Sequence, residues 1–311
     1  MVAAAGAVAT SAATAVAARS RAQRRKRARQ FRLNDGEPVA DGVRRIARAQ
    51  LDLVAEQLSR SGDGSADEAV HEVRKAFKRL RALVRLTRDE LGPDVRRHEN
   101  AAFREAGQRL SDVRDARVLL ATFDDLVEPG TFAGLRHELH ASATRVAARE
   151  YADDIAAILD TVAAARERVA NWPLGDDATA SLASGLKRIH RRARRAHAAA
   201  DTDPSSANLH ELRKRTKDLR HAAQILRPAA PKRMRAVDRD AHDLSDVLGA
   251  DHDLAMLLDV SRRYPAALTP GDRDLFERLV ERRRADLRRD ALRRAHKLYA
   301  TRPRKLARLI G

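Results

Sequence analysis

The stretch His71-Glu72-Val73-Arg74-Lys75-Ala76-Phe77-Lys78-Arg79-Leu80-Arg81 decides the fold reading, because the chain writes it twice. It returns as His210-Glu211-Leu212-Arg213-Lys214-Arg215-Thr216-Lys217-Asp218-Leu219-Arg220, with seven of 11 positions identical at a constant offset of 139. At about 100° per residue with His71 at zero, Arg74 falls near roughly −60°, Lys75 +40°, Lys78 −20°, Arg81 −80° and Arg85 −40°. Val73, Phe77, Leu80 and Val84 gather at roughly 180–240°, on the opposite face. The second copy puts His210, Arg213, Lys214, Lys217 and Arg220 at the same angles, over Leu212, Leu219 and Ala223. Each stretch is therefore a helix with an apolar face and a cationic face.

Further matches fall in the same order around these two stretches. Gly42-Val43-Arg44-Arg45-Ile46 pairs with Gly185-Leu186-Lys187-Arg188-Ile189. Leu110-Ser111 followed by Arg114-Asp115 pairs with Leu248-Gly249 followed by His252-Asp253. A rival register sets Leu110-Ser111-Asp112-Val113 against Leu244-Ser245-Asp246-Val247, but leaves His252-Asp253 four residues out of step. Helical periodicity without period-2 alternation predicts segments over 41–60, 67–91, 94–127, 131–170, 177–199, 205–227, 231–262 and 271–300. Gly92-Pro93, Glu128-Pro129-Gly130, Asn171-Trp172-Pro173 and Thr269-Pro270-Gly271 punctuate them. The expected architecture is all-α: two tandem four-helix bundles, 35–173 and 174–311, behind an Ala/Arg-rich tail over 1–34 expected to be disordered.

Composition narrows the function. Among 311 residues there are 62 Lys and Arg against 44 Asp and Glu, a net charge of +18 that favours a polyanionic partner. The absence of Cys removes disulfides, thiolate metal sites and a Cys nucleophile. The tail runs from an Ala-rich stretch into eight basic residues, Arg19 to Arg32, the reverse of a secretory signal. No apolar run approaches a membrane span.

Solvated helix faces usually alternate sign, because like charges at i,i+4 oppose the helix. Here Arg74 and Lys78 stand four residues apart, as do Arg213 and Lys217, while Glu72, Glu211 and Asp218 plot outside the cationic arc. An anion that neutralises both stripes is the simplest reason. His71 and His210 open the stripes and are candidates for anion contact or for orienting an Arg. Arg44, Arg48, Arg114, Arg191 and Arg194 are candidates for widening the basic surface, and Arg284, Arg288, Lys297, Arg304 and Lys305 add charge near the end of the chain. Asp115 is expected to position a basic side chain. Zinc is not expected: His-Glu-x-x-Lys is not His-Glu-x-x-His, and nothing completes a site around His137 and His140.

The paired His-x-x-Arg-Lys-x-x-Lys-x-x-Arg stripes, with Leu110-Ser111/Arg114-Asp115 and Leu248-Gly249/His252-Asp253 as a second pair of signatures, resemble the CHAD family, the conserved histidine α-helical domains. The resemblance spans about residues 38–308. It implies two four-helix bundles around a pseudo-twofold axis, a basic groove or pore that binds inorganic polyphosphate, and association with polyphosphate granules in the cytoplasm. The ligand-binding residues it implies are His71, Arg74, Lys78, Arg81, His210, Arg213, Lys214, Lys217 and Arg220; Lys75 and Arg85 fit the stripe by spacing. His221 stands where the family commonly has Tyr, and Gln224 where it often has Glu, which unsettles a local hydrogen bond.

Polyphosphate carries about one charge per unit and no bases, so rows of Arg and Lys suffice. Single-strand nucleic-acid binders add stacking aromatics, whereas the stripe helices offer only Phe77, on the core side. The expectation is a non-catalytic binding module without cofactor or metal. The alternative is a nonspecific nucleic-acid-binding or nucleoid-associated protein, and weak nucleic-acid binding fits either. An enzyme is disfavoured, since Gly-x-x-x-x-Gly-Lys-Ser/Thr, Gly-x-Ser-x-Gly and a Glu-x-Glu-x-Lys stretch are missing from the chain. Oligomeric state is not legible in the sequence.

Overall fold

A computed structural model describes residues 27, 29–59, 66–147, 151–175 and 179–310, with the side chains of residues 66, 67 and 112–114 outside the described set. Among these residues the secondary structure is helical, without strands. In chain order the α-helices are α1 (Val39–Ser59), α2 (Ala66–Leu86), α3 (Arg88–Gln108), α4 (Ser111–Leu126), α5 (Ala133–Ala147), α6 (Ala152–Ala170), α7 (Thr179–Thr202), α8 (Ser206–Ile225), α9 (Pro231–Ser261), α10 (Pro270–Tyr299) and α11 (Pro303–Ala307).

Local chemistry sets many of these boundaries. Ser205 caps α8, its hydroxyl accepting from the backbone N–H of Asn208, and Thr269 caps α10 by accepting from Asp272. Pro231, Pro270 and Pro303 open their helices, where a missing N–H costs nothing. The expected interruption at Gly92-Pro93 is a sharp bend inside α3, with Gly92 at φ 71°. Two segments differ from the periodicity. The segment predicted over 94–127 is two helices, broken at Leu110 (φ −105°, ψ 23°), three residues after Gly107. The segment predicted over 131–170 likewise contains two helices, α5 and α6. The second half keeps long unbroken helices, α9 and α10, at the corresponding places.

Helix packing recurs in pattern: α1 lies on α2 and α7 on α8, α3 lies on α2 and α9 on α8, and α2 contacts both α7 and α8. The approach of α7 to α2 is close, since a Cβ on Gly185 would stand 2.0 Å from the Leu86 carbonyl oxygen. The apolar face expected for α2 is buried: Val73, Phe77, Leu80 and Val84 are at most 1% exposed, and Leu212, Leu219 and Ala223 of α8 are at 0%. At about 1.5–3 kcal/mol per large side chain, that burial fixes which way the two helices face.

The apolar cores do not divide at Asn171-Trp172-Pro173. The larger core joins α1, α2 and α6 to α7, α8 and α9. A second core gathers Leu119 and Phe123 of α4, Leu135 and Leu139 of α5, Leu257 of α9, and Phe276 and Val280 of α10. Trp172 itself is buried, its carbonyl accepting from Arg44 Nη2 at 2.9 Å and its indole N–H donating to Glu99. Glu99, 1% exposed, also takes Arg168 through two bonds of 2.8 and 3.1 Å.

The stretch read as tail ends earlier than expected. Residues 1–26 and 28 lie outside the described residues, but Phe31 is 1% exposed and the Leu33 N–H donates to the Ile225 carbonyl at 3.1 Å. Phe31 meets the Arg79 guanidinium 4.8 Å above its ring and the edge of His221 at 5.8 Å. Two apolar residues among so many arginines were too weak a pattern to mark this docking.

Candidate anion-binding groove

Because α2 and α8 bury their apolar faces in the larger core, their cationic faces turn toward the gap between the two cores. That gap holds two adjoining cavities of about 730 and 450 Å3. The larger is walled by α2, α8, α4, α9 and α10, the smaller by α2, α8, α4 and α9. Arg74, Lys78, Arg213, Lys217, His221 and Asp253 line both, so the cavities meet across the middle of the two stripes.

All the stripe residues reach this groove. His71 and Lys75 line the larger cavity with Arg220; Arg81, Arg85, His210 and Lys214 line the smaller. The flanking candidates do not join them. Arg44 is held by Trp172 and Asp41, and Arg48, Arg191 and Arg194 are exposed and line neither cavity. The Arg114 side chain lies outside the described residues. Arg284 is 5% exposed and bonds Asp251, Glu281 and Ser206, with Arg288 sharing Asp251, so this pair ties α10 to α9.

The second signature holds the first in place. Arg74 Nη1 donates to the Leu110 carbonyl at 3.0 Å, at the break between α3 and α4, and Nη2 lies 3.7 Å from Asp115. Its counterpart Arg213 lies against α9 at Gly249, where a Cβ would stand 3.3 Å from Nη2. Leu110-Ser111 and Leu248-Gly249 thus each receive the matching arginine. His252, the counterpart of Arg114, meets His210 with ring centroids 4.6 Å apart and planes tilted by 43°.

The acids expected to lie apart from the arc reach back into it. Glu72 pairs with Lys75 at 2.9 Å, Glu211 pairs with Lys214 and Arg215, and Asp218 joins Arg85 of α2 at 3.2 Å to Arg215 at 2.9 Å. Arg220 bonds Asp238 at 3.2 Å, and Arg81 donates to Asn100. Long side chains bridge an i,i+3 step that a helical wheel shows as separate arcs, and Asp218 crosses between helices. The repulsion is therefore relieved in part. Even so, among the described residues twelve Lys and Arg and five Asp line the two cavities.

The electrostatics reflect that excess. Burial, reinforced by Arg85, brings Arg81 down to about 10. Burial and neighbouring His252, Lys214 and Arg213 bring His210 down to about 4, so it is neutral at pH 7. His252 is lowered by burial and Arg213. His221 is lowered well below the usual range, by burial and then by Arg79. Gln224, standing where Glu is common, faces His221 Nδ1 at 3.4 Å and donates to Asp238 at 2.8 Å, so the local bond network closes without a carboxylate there.

Sequence reasoning missed three groove arginines. Arg79, 8% exposed, lines the larger cavity while bonding Gln50; its place between stripe and core on a wheel hid it. Arg215 was set apart by its angle, and Arg283 comes from α10, with no motif to mark it. Among the described residues no group of three His, Asp or Glu is placed to hold a metal ion, and no helix is long and apolar enough to cross a membrane.

Comparison with known proteins places this architecture. No curated protein matches the chain. Among solved structures it is similar to the crystal structure of the CHAD domain from the plant Ricinus communis, with a TM-score of 0.55 and 20% sequence identity, covering 87% of this chain and 95% of that one. The family model of the CHAD domain matches residues 45–262, taking in both stripes and both second signatures, and the chain belongs to the CHAD-domain family.

Proposed function

We propose that the protein is a non-catalytic binding module for inorganic polyphosphate, which lies in the groove between the stripes of α2 and α8. The observation that carries this reading is that both stripes face one groove whose described charged lining has Lys and Arg in excess over Asp. A polymer of phosphate units meets guanidinium forks at Arg74, bonded to the Leu110 carbonyl, and at Arg213, packed against Gly249, with the ammonium groups of Lys78 and Lys217 between them. The recurring helix contacts support a tandem repeat whose two copies each contribute one stripe. Among the described lining residues there is no Phe, Tyr or Trp to stack a base, which favours polyphosphate over the nucleic-acid alternative. Association with cytoplasmic polyphosphate granules follows from the same reading.

The test is a competition titration near physiological salt. Labelled long-chain polyphosphate is displaced by unlabelled polyphosphate, duplex DNA, RNA or short phosphates. Displacement by long polyphosphate at far lower concentration than by nucleic acid is expected. Equal or better competition by nucleic acid would replace this reading with the alternative.

A further inference from the structure

Where α2 gives way to α3, six guanidinium groups converge on one small space. Arg85 comes from α2, Arg88 and Arg96 from α3, Arg188 and Arg192 from α7, and Arg215 from α8. The cavity is about 30 Å3, and Ile189 and the single carboxylate of Asp218 complete its lining. Asp218 is already occupied, taking Arg85 at 3.2 Å and Arg215 at 2.9 Å. Arg188 uses Nη1 on Asp89 at 2.7 Å, while its Nη2 is buried and meets no protein acceptor. Arg96 Nε is buried in the same condition. Among the described residues no carboxylate lies within ion-pair distance of Arg88, Arg96 or Arg192.

Some other arginines that cross between helices are closed by carboxylates. Arg284 and Arg288 share Asp251 and Glu281, and Arg168 is closed on Glu99. Guanidinium stays charged at any ordinary pH, so six of them, answered by Asp218 in the lining and by Asp89 and Glu211 outside it, still repel one another. Each buried N–H left without an acceptor costs a further ~1–3 kcal/mol. Burial and the charges of Arg215 and Arg88 push the Arg192 pKa down. A fold that tolerates this arrangement has a compensating anion to gain.

We infer that this arginine nest binds a single phosphate group at a site separate from the long groove. Guanidinium forks match the oxygens of a tetrahedral oxyanion, and Arg96 Nε and Arg188 Nη2 supply donors that lack acceptors. The space admits one compact oxyanion, and neither a nucleoside nor a length of polymer. The nest adjoins the smaller groove cavity through Arg85, Arg215 and Asp218. The phosphate is therefore either free orthophosphate or the end group of a chain leaving the groove. Only the second source rests on the polyphosphate reading.

The experiment uses the full chain and titrates inorganic phosphate calorimetrically at fixed ionic strength. Wild type is expected to bind one phosphate, and R96Q/R192Q to bind about tenfold or more weakly, the worth of a charge-assisted hydrogen bond. K78Q/K217Q is expected to bind phosphate as wild type does, which keeps failure of the groove separate from failure of the nest. Circular dichroism and the urea midpoint report whether R96Q/R192Q is folded, and R96K/R192K retains charge if it is not. Saturation with long linear polyphosphate distinguishes the sources. Loss of the phosphate signal with the linear chain but not with cyclic trimetaphosphate identifies a chain end, and an unchanged signal identifies free phosphate; either supports the site. Phosphate binding by R96Q/R192Q equal to wild type, or no saturable binding by wild type up to about 10 mM, overturns it.

Discussion

Reversing charge at Lys78 and Lys217 tests the groove where it is most exposed to failure. The two lysines line both cavities, one from each stripe helix, so the change falls where the cavities meet. Among the described residues twelve cations and five carboxylates line the groove, a net of about seven. At about 0.7 released counterion per contact, taking single-stranded nucleic acid as a guide, log affinity for polyphosphate falls with log salt at a slope of about −5. K78E/K217E changes the lining by four charges, bringing the slope to about −2. Relative to about 1 M salt, where this contribution vanishes, the difference at about 0.15 M is roughly 200-fold in affinity, or about 3 kcal/mol. K78Q/K217Q removes two charges and loses about tenfold. The assay is fluorescence anisotropy of end-labelled polyphosphate at several salt concentrations, with circular dichroism as the control. Helicity stays intact because the buried faces of α2 and α8 are untouched. A loss under about threefold with an unchanged salt slope would mean that polyphosphate binds elsewhere.

Three other outcomes follow from the packing. His190 is 1% exposed with a pKa lowered to about 4, chiefly by burial, so the unfolded chain takes up its proton first as pH falls. Stability is lost from about 6.5 down to about 4, with about 3 kcal/mol from this residue, and H190Q flattens that part of the urea-midpoint profile; an unchanged profile refutes the assignment. Arg168→Ala leaves the buried Glu99 with the Trp172 indole and costs about 3–5 kcal/mol by urea denaturation, part of which Glu99→Gln in the same chain restores. Gly185→Ala drives a Cβ into the Leu86 carbonyl and costs about 3 kcal/mol or more, while Gly249→Ala leaves the midpoint unchanged or raised and weakens polyphosphate binding by displacing Arg213. Equal midpoints for the two glycine variants would refute the close approach of α7 to α2.

Much of the helical architecture was legible because its signals are local. The faces of α2 and α8 follow from spacing alone, and Pro231, Pro270 and Ser205 mark starts that need no tertiary partner. The break at Leu110 was not legible, since apolar periodicity runs through it and Arg74, the side chain bonded there, comes from another helix. Arg44, Arg48, Arg191 and Arg194 resembled stripe residues by type, but their helices pack beside α2 and α8 and direct them elsewhere. The docking of Phe31 and Leu33 was hidden because their partners, Arg79, His221 and Ile225, lie far along the chain.

The sequence by itself determined that this chain is helical, that two amphipathic helices carry nearly the same cationic stripe, and that positive charge is in excess. Those properties follow from composition and a 3.6-residue period, which neighbouring residues fix. Only the tertiary structure decided that both stripes face one groove, that Glu72, Glu211 and Asp218 neutralise part of them, and that six arginines from four helices meet beside Asp218. Packing of separate helices sets those distances, and a one-dimensional pattern carries the facing of each helix without the position of its neighbours.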